Sequence, residues 1–279
     1  MLELKEIERC IIKKYRKKLW TPFVKALNDY ELIKDGDKIA VCISGGKDSL
    51  LLAKLFQELK KHGQLAFEVV FISMDPGFHR ENKAALTNNC RQLQIPVNFF
   101  ATEIFKVVQT HASKFPCYLC ARMRRGSLYN KARELGCNKI ALGHHFNDVI
   151  ETTMLNLMYA GTFKTMLPKL KATNFAGMEL IRPLILVREK DIIAYTEYCG
   201  ISAMNCGCEV AAGKVASSRQ QVKKLIAEYK EIFPDVDKSI FSAGANVNLE
   251  AIIGYSVNGK KHSYLEHYDD HKIINLEEE

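Results

Sequence analysis

A doubly wound α/β fold, a parallel sheet with helices on both faces, is predicted by three features of this 279-residue sequence. Short apolar runs alternate with amphipathic stretches from about residue 38 to residue 160, the pattern of right-handed βαβ units. The polar strings that carry chemistry stand at the ends of those runs, where open parallel sheets bind ligands. The composition, 47% hydrophobic and 26% charged, is that of an ordinary globular chain and excludes a disordered or fibrous one.

Each element follows from local pattern. Residues 1–25 carry Ile7, Ile11, Ile12, Tyr15 and Leu19 at helical spacing beneath a basic face of Lys13, Lys14, Arg16, Lys17 and Lys18, which reads as one amphipathic helix. Residues 38–44 form an apolar run ending in small residues, a buried strand, and 48–59 follow as a helix. Residues 67–73 are a second strand, 80–93 a helix, 97–101 a third strand, 122–135 a helix, 139–143 a fourth strand and 148–159 a helix. Beyond Pro183 the pattern is mainly helical, at 189–199, at 217–231 and more weakly at 235–253. The last segment is polar and ends in three glutamates, a loose acidic tail. No internal repeat or low-complexity linker interrupts this order.

Forty Lys and Arg against 32 Asp and Glu give a net charge of +8, which suits a polyanionic partner without requiring one. No apolar run approaches the ~18 residues of a membrane span, so no membrane association is expected. The N-terminus lacks the apolar core of an export signal, which makes a cytoplasmic location the default. An odd count of nine cysteines argues against a disulfide scaffold. Cys42, Cys90 and Cys137 sit among apolar residues as ordinary buried thiols. Two close pairs, Cys117/Cys120 and Cys206/Cys208, ask for a separate explanation.

The sharpest local feature is Ser44-Gly45-Gly46-Lys47-Asp48-Ser49, directly after a strand and opening a helix. Glycines allow a tight turn and close approach to a ligand, and amides at the helix start then point at an anion. Ser44 and Ser49 can donate hydroxyl bonds, and Lys47 can neutralise phosphate. The string is neither a Walker A loop nor a G-x-G-x-x-G fingerprint. It closely resembles the S-G-G-x-D-S loop of the PP-loop ATPases, the N-type ATP pyrophosphatases. That resemblance implies a fold of the adenine-nucleotide alpha-hydrolase type with helical N- and C-terminal additions. It also implies ATP held by its phosphates, adenylation of a substrate carbonyl with release of pyrophosphate, and displacement of AMP by a nucleophile. Asp48 suits a Mg²⁺ on the phosphates. Asp75, ending the second strand, and the segment from Gly143 through His144, His145 and Asp148 to Thr152 resemble further parts of the family's nucleotide site. Asn147 stands where the family shows its first Asp, leaving Asp148 as the acid.

The C-x-x-C of Cys117 and Cys120 precedes an arginine-rich helix (Arg122, Arg124, Arg125) and by itself suits a redox pair, a zinc half-site or an iron–sulfur half-site. With Cys206 and Cys208 it could close a four-ligand site. From Cys117 through Met166-Leu-Pro168, Arg182-Pro183 and Arg188-Glu189 to Phe233-Pro234 and Asn246-Val247, the chain looks like the tRNA 2-thiocytidine synthase family, over roughly residues 20–250. That resemblance implies ATP-dependent tRNA thiolation, an anticodon-loop cytidine as target, and a [4Fe–4S] cluster on three cysteines with one iron open for sulfur. Cys117 and Cys120 carry over directly. For the third ligand, the C-G step selects Cys206, slightly preferred, and the distance to Ser218-Arg219-Gln220 selects Cys208. Asp48, Cys117, Cys120 and Cys206 form the expected catalytic set, and Cys117, Cys120, Cys206 and Cys208 the expected metal set. Ser44 to Ser49, Asp75, Gly143, His144 and Asp148 form the nucleotide set.

The resemblance divides the chain into an N-terminal basic helix (1–30), a PP-loop ATPase domain (31–200) and a mainly helical C-terminal region (201–279). The implied partners are tRNA and a sulfur donor, either sulfide or a persulfide derived from a cysteine desulfurase. Dimers are common in the family, although no stretch marks a homodimer interface. Arg122, Arg124, Arg125, Arg133, Arg182, Arg188 and Arg219, with the N-terminal lysines, could line an RNA phosphate surface, and Phe115 or Tyr118 could stack on an extruded base. Thiolation through an open cluster iron needs no net redox change; a persulfide on Cys120 or Cys208 is the covalent route. Two other readings stand beside these: a PP-loop ligase or amidotransferase with a structural zinc, and a non-catalytic tRNA-binding protein with a degenerate nucleotide site.

Overall fold

Strand β1 (Lys38–Cys42) is buried from Ile39 onward, as a central strand covered on both faces must be. Its pleat divides the interior. Ile39 and Val41 point into one apolar cluster with Leu51, Leu55, Phe23 and Ile192, while Ala40 and Cys42 point into another with Ile72, Tyr129, Ala132 and Ile140. The computed structural model describes residues 2–63, 65–78, 80–104, 116–204 and 215–270, with 116–121, 215–217, 267 and 270 by their backbone alone.

The α/β elements are β1, α3 (Lys47–His62), β2 (Glu68–Asp75), α4 (Arg80–Gln92), β3 (Val97–Ala101), α5 (Pro116–Glu134), β4 (Lys139–Ala141) and α6 (Phe146–Ala160). They follow α1 (Leu4–Ile12) and α2 (Thr21–Asp29) and are followed by β5 (Lys169–Lys171), β6 (Glu179–Ile181) and α7 (Glu189–Cys199). The sheet order is β3-β2-β1-β4-β6-β5. β1 runs parallel to β2, with Ile39 opposite Val69, and to β4, with Ile39 opposite Lys139; only the β5–β6 pair is antiparallel within this sheet. The expected doubly wound parallel sheet is present. The chain order reverses between β1 and β4, which opens a crevice beyond their carboxyl ends.

Several expectations need correction. The single N-terminal helix is three pieces, α1, a π-helical turn at Arg16–Trp20, and α2. Pro22, in the first turn of α2, has no N–H to continue the preceding ladder, so a new helix starts there. Helix α5 begins at Pro116, not at 122, so Cys117 and Cys120 lie in its first two turns rather than before it. β5 and β6 were not expected, because three residues are too few to show an alternating pattern. The weak helix over 235–253 resolves into α9 (Val236–Ala243) and a 3₁₀ turn at Leu249–Ala251. Within the polar last segment, β7 (Gly254–Val257) and β8 (Lys260–Ser263) form a hairpin through Asn258 and Gly259, with φ +51° and +79°. Asn-Gly at that place is a hairpin signal the reading passed over.

The C-terminal helix α8 (Val215–Ile232) docks on α6 through a third apolar cluster, Phe146 and Ile150 against Val222 and Ile226. Phe241 of α9 stacks on Phe146 with ring centroids 4.8 Å apart. Cys42, Cys90 and Cys137 are buried thiols as expected, and burial pushes Cys42 up to about 12. Among the described residues no helix is long and apolar enough to cross a membrane.

Candidate nucleotide and sulfur site

Gly45 turns the chain off β1 with φ +86°, and Gly46 is the extended N-cap of α3. A Cβ on Gly45 would stand 2.6 Å from Met204 Sδ. Glycine is required there by conformation, whereas the methionine side chain could shift to make room. The turn is braced internally. Ser44 N–H donates to Ser49 Oγ at 3.1 Å, the two hydroxyl oxygens lie 3.2 Å apart, and Ser49 Oγ donates to Gly46 C=O at 2.9 Å. Ser44 and Ser49 thus shape the loop, while the first amides of α3, which have no intrahelical acceptor, face the crevice.

Asp48 occupies the first turn of α3, and its Oδ1 is buried without a hydrogen-bond partner among the described residues. Burial raises its carboxyl above the ordinary range, against the pull of His145 and Lys47. His145 reaches the same place from the β4–α6 turn. It caps α6 reciprocally: Asp148 N–H donates to His145 Nδ1 at 3.3 Å, and His145 N–H donates to Asp148 Oδ2 at 3.0 Å. The other ring nitrogen, Nε2, lies 3.8 Å from Asp48 Oδ1. Gly143 packs so tightly under the loop that a Cβ would meet the Asp48 carbonyl carbon and Ser49 N at 3.2 Å. His144 is held at about 4 chiefly by burial, hence neutral near pH 7, and its Nδ1 is buried without a partner among the described residues.

The wall of the crevice comes from α7 and α8. Lys47 Nζ lies 3.4 Å from Asp48 Oδ2 and 3.1 Å from Glu189 Oε1, and Lys223 Nζ is 2.5 Å from Glu189 Oε2. Burial opposes ionisation of Glu189, but these two lysines outweigh it and lower the carboxyl to about 2. Arg219 donates to Asp148 Oδ1 at 2.8 Å and to Thr152 Oγ1 at 3.3 Å, and lies 3.6 Å from Glu151 Oε2. Glu151 is 5% exposed, and burial raises it to about 7 despite Arg219. Asn147 Oδ1 accepts from Glu189 N–H at 3.0 Å, so the residue standing in for the family's Asp anchors the start of α7.

The structure therefore brings Ser44 to Ser49, Gly143, His144 and Asp148 together. Asp75 ends β2 with Oδ1 accepting from the Gly77 and Phe78 amides and Oδ2 3.0 Å from Lys83, an arrangement that builds the next turn. Glu151 and Glu189, absent from the expected set, belong to the site. Glu151 was legible as the glutamate six residues after His145, whereas Glu189 carries no spacing signal because it arrives from 142 residues beyond Lys47. Three of the arginines expected to face RNA make ties within the chain. Arg182 is 8% exposed and bonds Leu167 C=O, Arg188 pairs with Asp237 over the Phe146 ring, and Arg219 holds α8 to α6.

Cys117 and Cys120 are placed by backbone one turn apart at the start of α5. Cys206 and Cys208 lie outside the described residues, as does Phe115, and Tyr118 is described by its backbone alone. Both flanks of the Cys206/Cys208 segment end at the crevice: Met204 N–H bonds Gly45 C=O at 2.9 Å, and Arg219 holds Asp148. α5 leads into β4, so its start lies at the carboxyl edge of the sheet, the edge that carries the phosphate loop. Among the described residues no three His, Cys, Asp or Glu side chains gather as a group that could hold a metal ion.

A family model described as a PP-loop domain matches residues 15–204. A curated tRNA-cytidine(32) 2-sulfurtransferase of Syntrophotalea carbinolica is 36% identical over 236 residues, covering 84% of this chain and 90% of that one. One of Vibrio cholerae is 36% identical over 260 residues, covering 91% and 82%. Among solved structures, the U34-tRNA thiolase NcsA from Methanococcus maripaludis with its [4Fe-4S] cluster aligns with TM-score 0.67 at 24% identity, over 89% of this chain and 82% of that chain, and shares the fold.

Proposed function

Because the chain belongs to the tRNA-cytidine(32) 2-sulfurtransferase family of PP-loop proteins, whose members are transferases, we propose that it replaces the C2 oxygen of a tRNA anticodon-loop cytidine with sulfur at the expense of ATP. The observation that carries this reading is the convergence at one crevice of a braced phosphate loop, a buried carboxylate oxygen without a hydrogen-bond partner among the described residues, and both flanks of the second cysteine pair.

The triphosphate lies on the first-turn amides of α3, with Lys47 neutralising charge. The free Asp48 Oδ1 is a hard oxygen donor of the kind Mg²⁺ takes, and the ion when bound would screen the phosphates. His145 Nε2 stands 3.8 Å from that oxygen without a hydrogen bond, and the His145–Asp148 cap fixes the ring there. Cytidine O2 attacks the α-phosphorus; an O–P bond forms, and the electron pair of the broken P–O bond leaves with pyrophosphate. Hydrosulfide then adds to C2, the C–O bond breaks with its electron pair on AMP, and the S–H proton is released. No atom is oxidised or reduced, and the poor leaving group has become a good one.

The thiol donor set of Cys117 and Cys120, one helical turn apart, with Cys206 or Cys208 as a third thiol from later in the chain, fits a cluster ligated by three cysteines. A [4Fe–4S] group on those residues would supply an open iron able to bind hydrosulfide and lower its pKa. The chain's own part is to place that donor set beside the phosphate loop and to close the crevice with α8, which limits loss of the adenylate to water.

The test is anaerobic turnover with ATP, sulfide and tRNA, reading AMP, pyrophosphate and 2-thiocytidine alongside iron and zinc content. Asp48→Ala is expected to abolish AMP formation while keeping the brown chromophore. Cys117→Ala is expected to lose the chromophore. Full AMP release by the Asp48 variant refutes the adenylation role, and zinc in place of iron moves the cysteines to a structural site and favours a ligase.

A further inference from the structure

Glu189 is a carboxylate placed inside a site built for anions. Its side chain is 16% exposed, its backbone N–H is fixed by Asn147, and its two oxygens are divided between Lys47 of the phosphate loop and Lys223 of α8. A polyphosphate brought to Lys47 meets this negative charge at close range and partly out of water, where repulsion is poorly screened. We propose that Glu189 is an internal counter-ion that the triphosphate displaces from Lys47, with Lys223 retaining the displaced carboxylate. The proposal rests on the reading of the loop as a triphosphate site.

The geometry makes the exchange possible without moving either helix. The Glu189 carboxylate already holds Lys223 at 2.5 Å, so losing Lys47 leaves it paired rather than bare. Lys47, for its part, keeps Asp48 Oδ2 at 3.4 Å while it turns to phosphate. Lys223 lies one helical turn after Arg219, which holds Asp148 and Thr152, so both ties of α8 to the crevice come from one face of that helix. Loading the loop therefore replaces a bridge that runs from α3 through Glu189 to α8 with a simple Glu189–Lys223 pair. Glu189 is a positioning residue in this scheme: it sets where Lys47 stands before nucleotide arrives and what α8 is tied to afterwards.

The roles of Glu189 and Lys223 then have opposite signs, which a double-mutant cycle reads directly. Affinity for α,β-methylene ATP is measured by titration calorimetry on the full-length protein without RNA. Glu189→Gln removes the competitor and is expected to bind about fivefold tighter. Lys223→Ala strands the displaced carboxylate and is expected to bind about fivefold weaker. In the Glu189→Gln background, Lys223→Ala is expected to change affinity by less than about twofold. Lys223→Ala alters an exposed end of an exposed side chain and leaves the fold in place; Glu189→Ala gives the same reading should Glu189→Gln not fold. Unchanged or weaker binding by the Glu189 variants overturns the proposal. So does an equal loss from Lys223→Ala in both backgrounds, which makes Lys223 a direct phosphate ligand. Failure of the wild-type protein to bind the analogue overturns the triphosphate reading itself, a separate result.

Discussion

Replacing Glu151 by Gln is expected to stabilise the protein in alkaline solution and to do nearly nothing in mild acid. The side chain is 5% exposed on α6, and its nearest cation, the Arg219 guanidinium, lies 3.6 Å away and already donates to Asp148. Burial dominates, Asp148 adds repulsion, and Arg219 offsets only part, so the carboxyl rises from 4.5 to about 7. In the unfolded chain it gives up its proton near 4.5; the folded protein keeps the proton until about 7. The folded state therefore binds more protons in that window, and stability falls as pH rises through it. The displacement corresponds to a cost of about 3 kcal/mol above pH 7. Glutamine has nearly the same shape and no proton to lose. The assay is urea unfolding followed by circular dichroism at pH 5, 6, 7 and 8, with midpoints compared at equal slope. The variant's advantage should grow from under about 1 kcal/mol at pH 5 to at most about 3 kcal/mol at pH 8. A difference that does not change with pH, or a variant weaker at pH 8, refutes the argument that burial governs this carboxyl.

Two further outcomes follow from the same structure. Asp237, 4% exposed between Arg188 and Lys230, is lowered to about 2 because those two cations outweigh its burial. Asp237→Asn should therefore lose about 2 kcal/mol at pH 7, a loss that fades as pH falls from about 4 to about 2, measured by thermal unfolding across that range. Gly143→Ala sets a methyl 3.2 Å from the backbone of Asp48 and Ser49, atoms that cannot swing aside, and should weaken ATP binding about tenfold in a calorimetric titration. Wild-type affinity there would show that the loop floor yields.

Sequence pattern was most informative where a residue's neighbours in the chain are also its neighbours in space. Strands β1 to β4 and the turn Ser44–Ser49 are of that kind, since a five-residue apolar run or a Gly-Gly after a strand has few other uses. The N-terminal helix was recognisable by its apolar positions, and Ile7, Ile11 and Leu19 are indeed buried, but its break at Pro22 required weighing one missing N–H against a good amphipathic stripe. Strands β5 and β6 exist because β4 offers an open edge, which is a tertiary cause. The site divides in the same way. Asp48 and His144 announce themselves locally, whereas Glu189 and Arg219 enter by folding, and an arginine meant for Asp148 looks no different in sequence from one meant for RNA.

The adjacency of β1 and β4 in the sheet has a consequence for the order in which the molecule forms. Lys38 N–H is bonded to Asn138 Oδ1 across 100 residues of chain, and the contacts that finish the crevice span 71 and 142 residues. Loops that long are slow to close, and the contacts they enable come last. A nascent chain that has emerged only through α4 has the loop sequence but lacks His145 beside Asp48, and one that has emerged through α6 still lacks Glu189 and α8. Nucleotide therefore adds stability only once β1 and β4 have come together, so a ligand that binds this crevice acts on folding late, as a latch on a nearly finished protein.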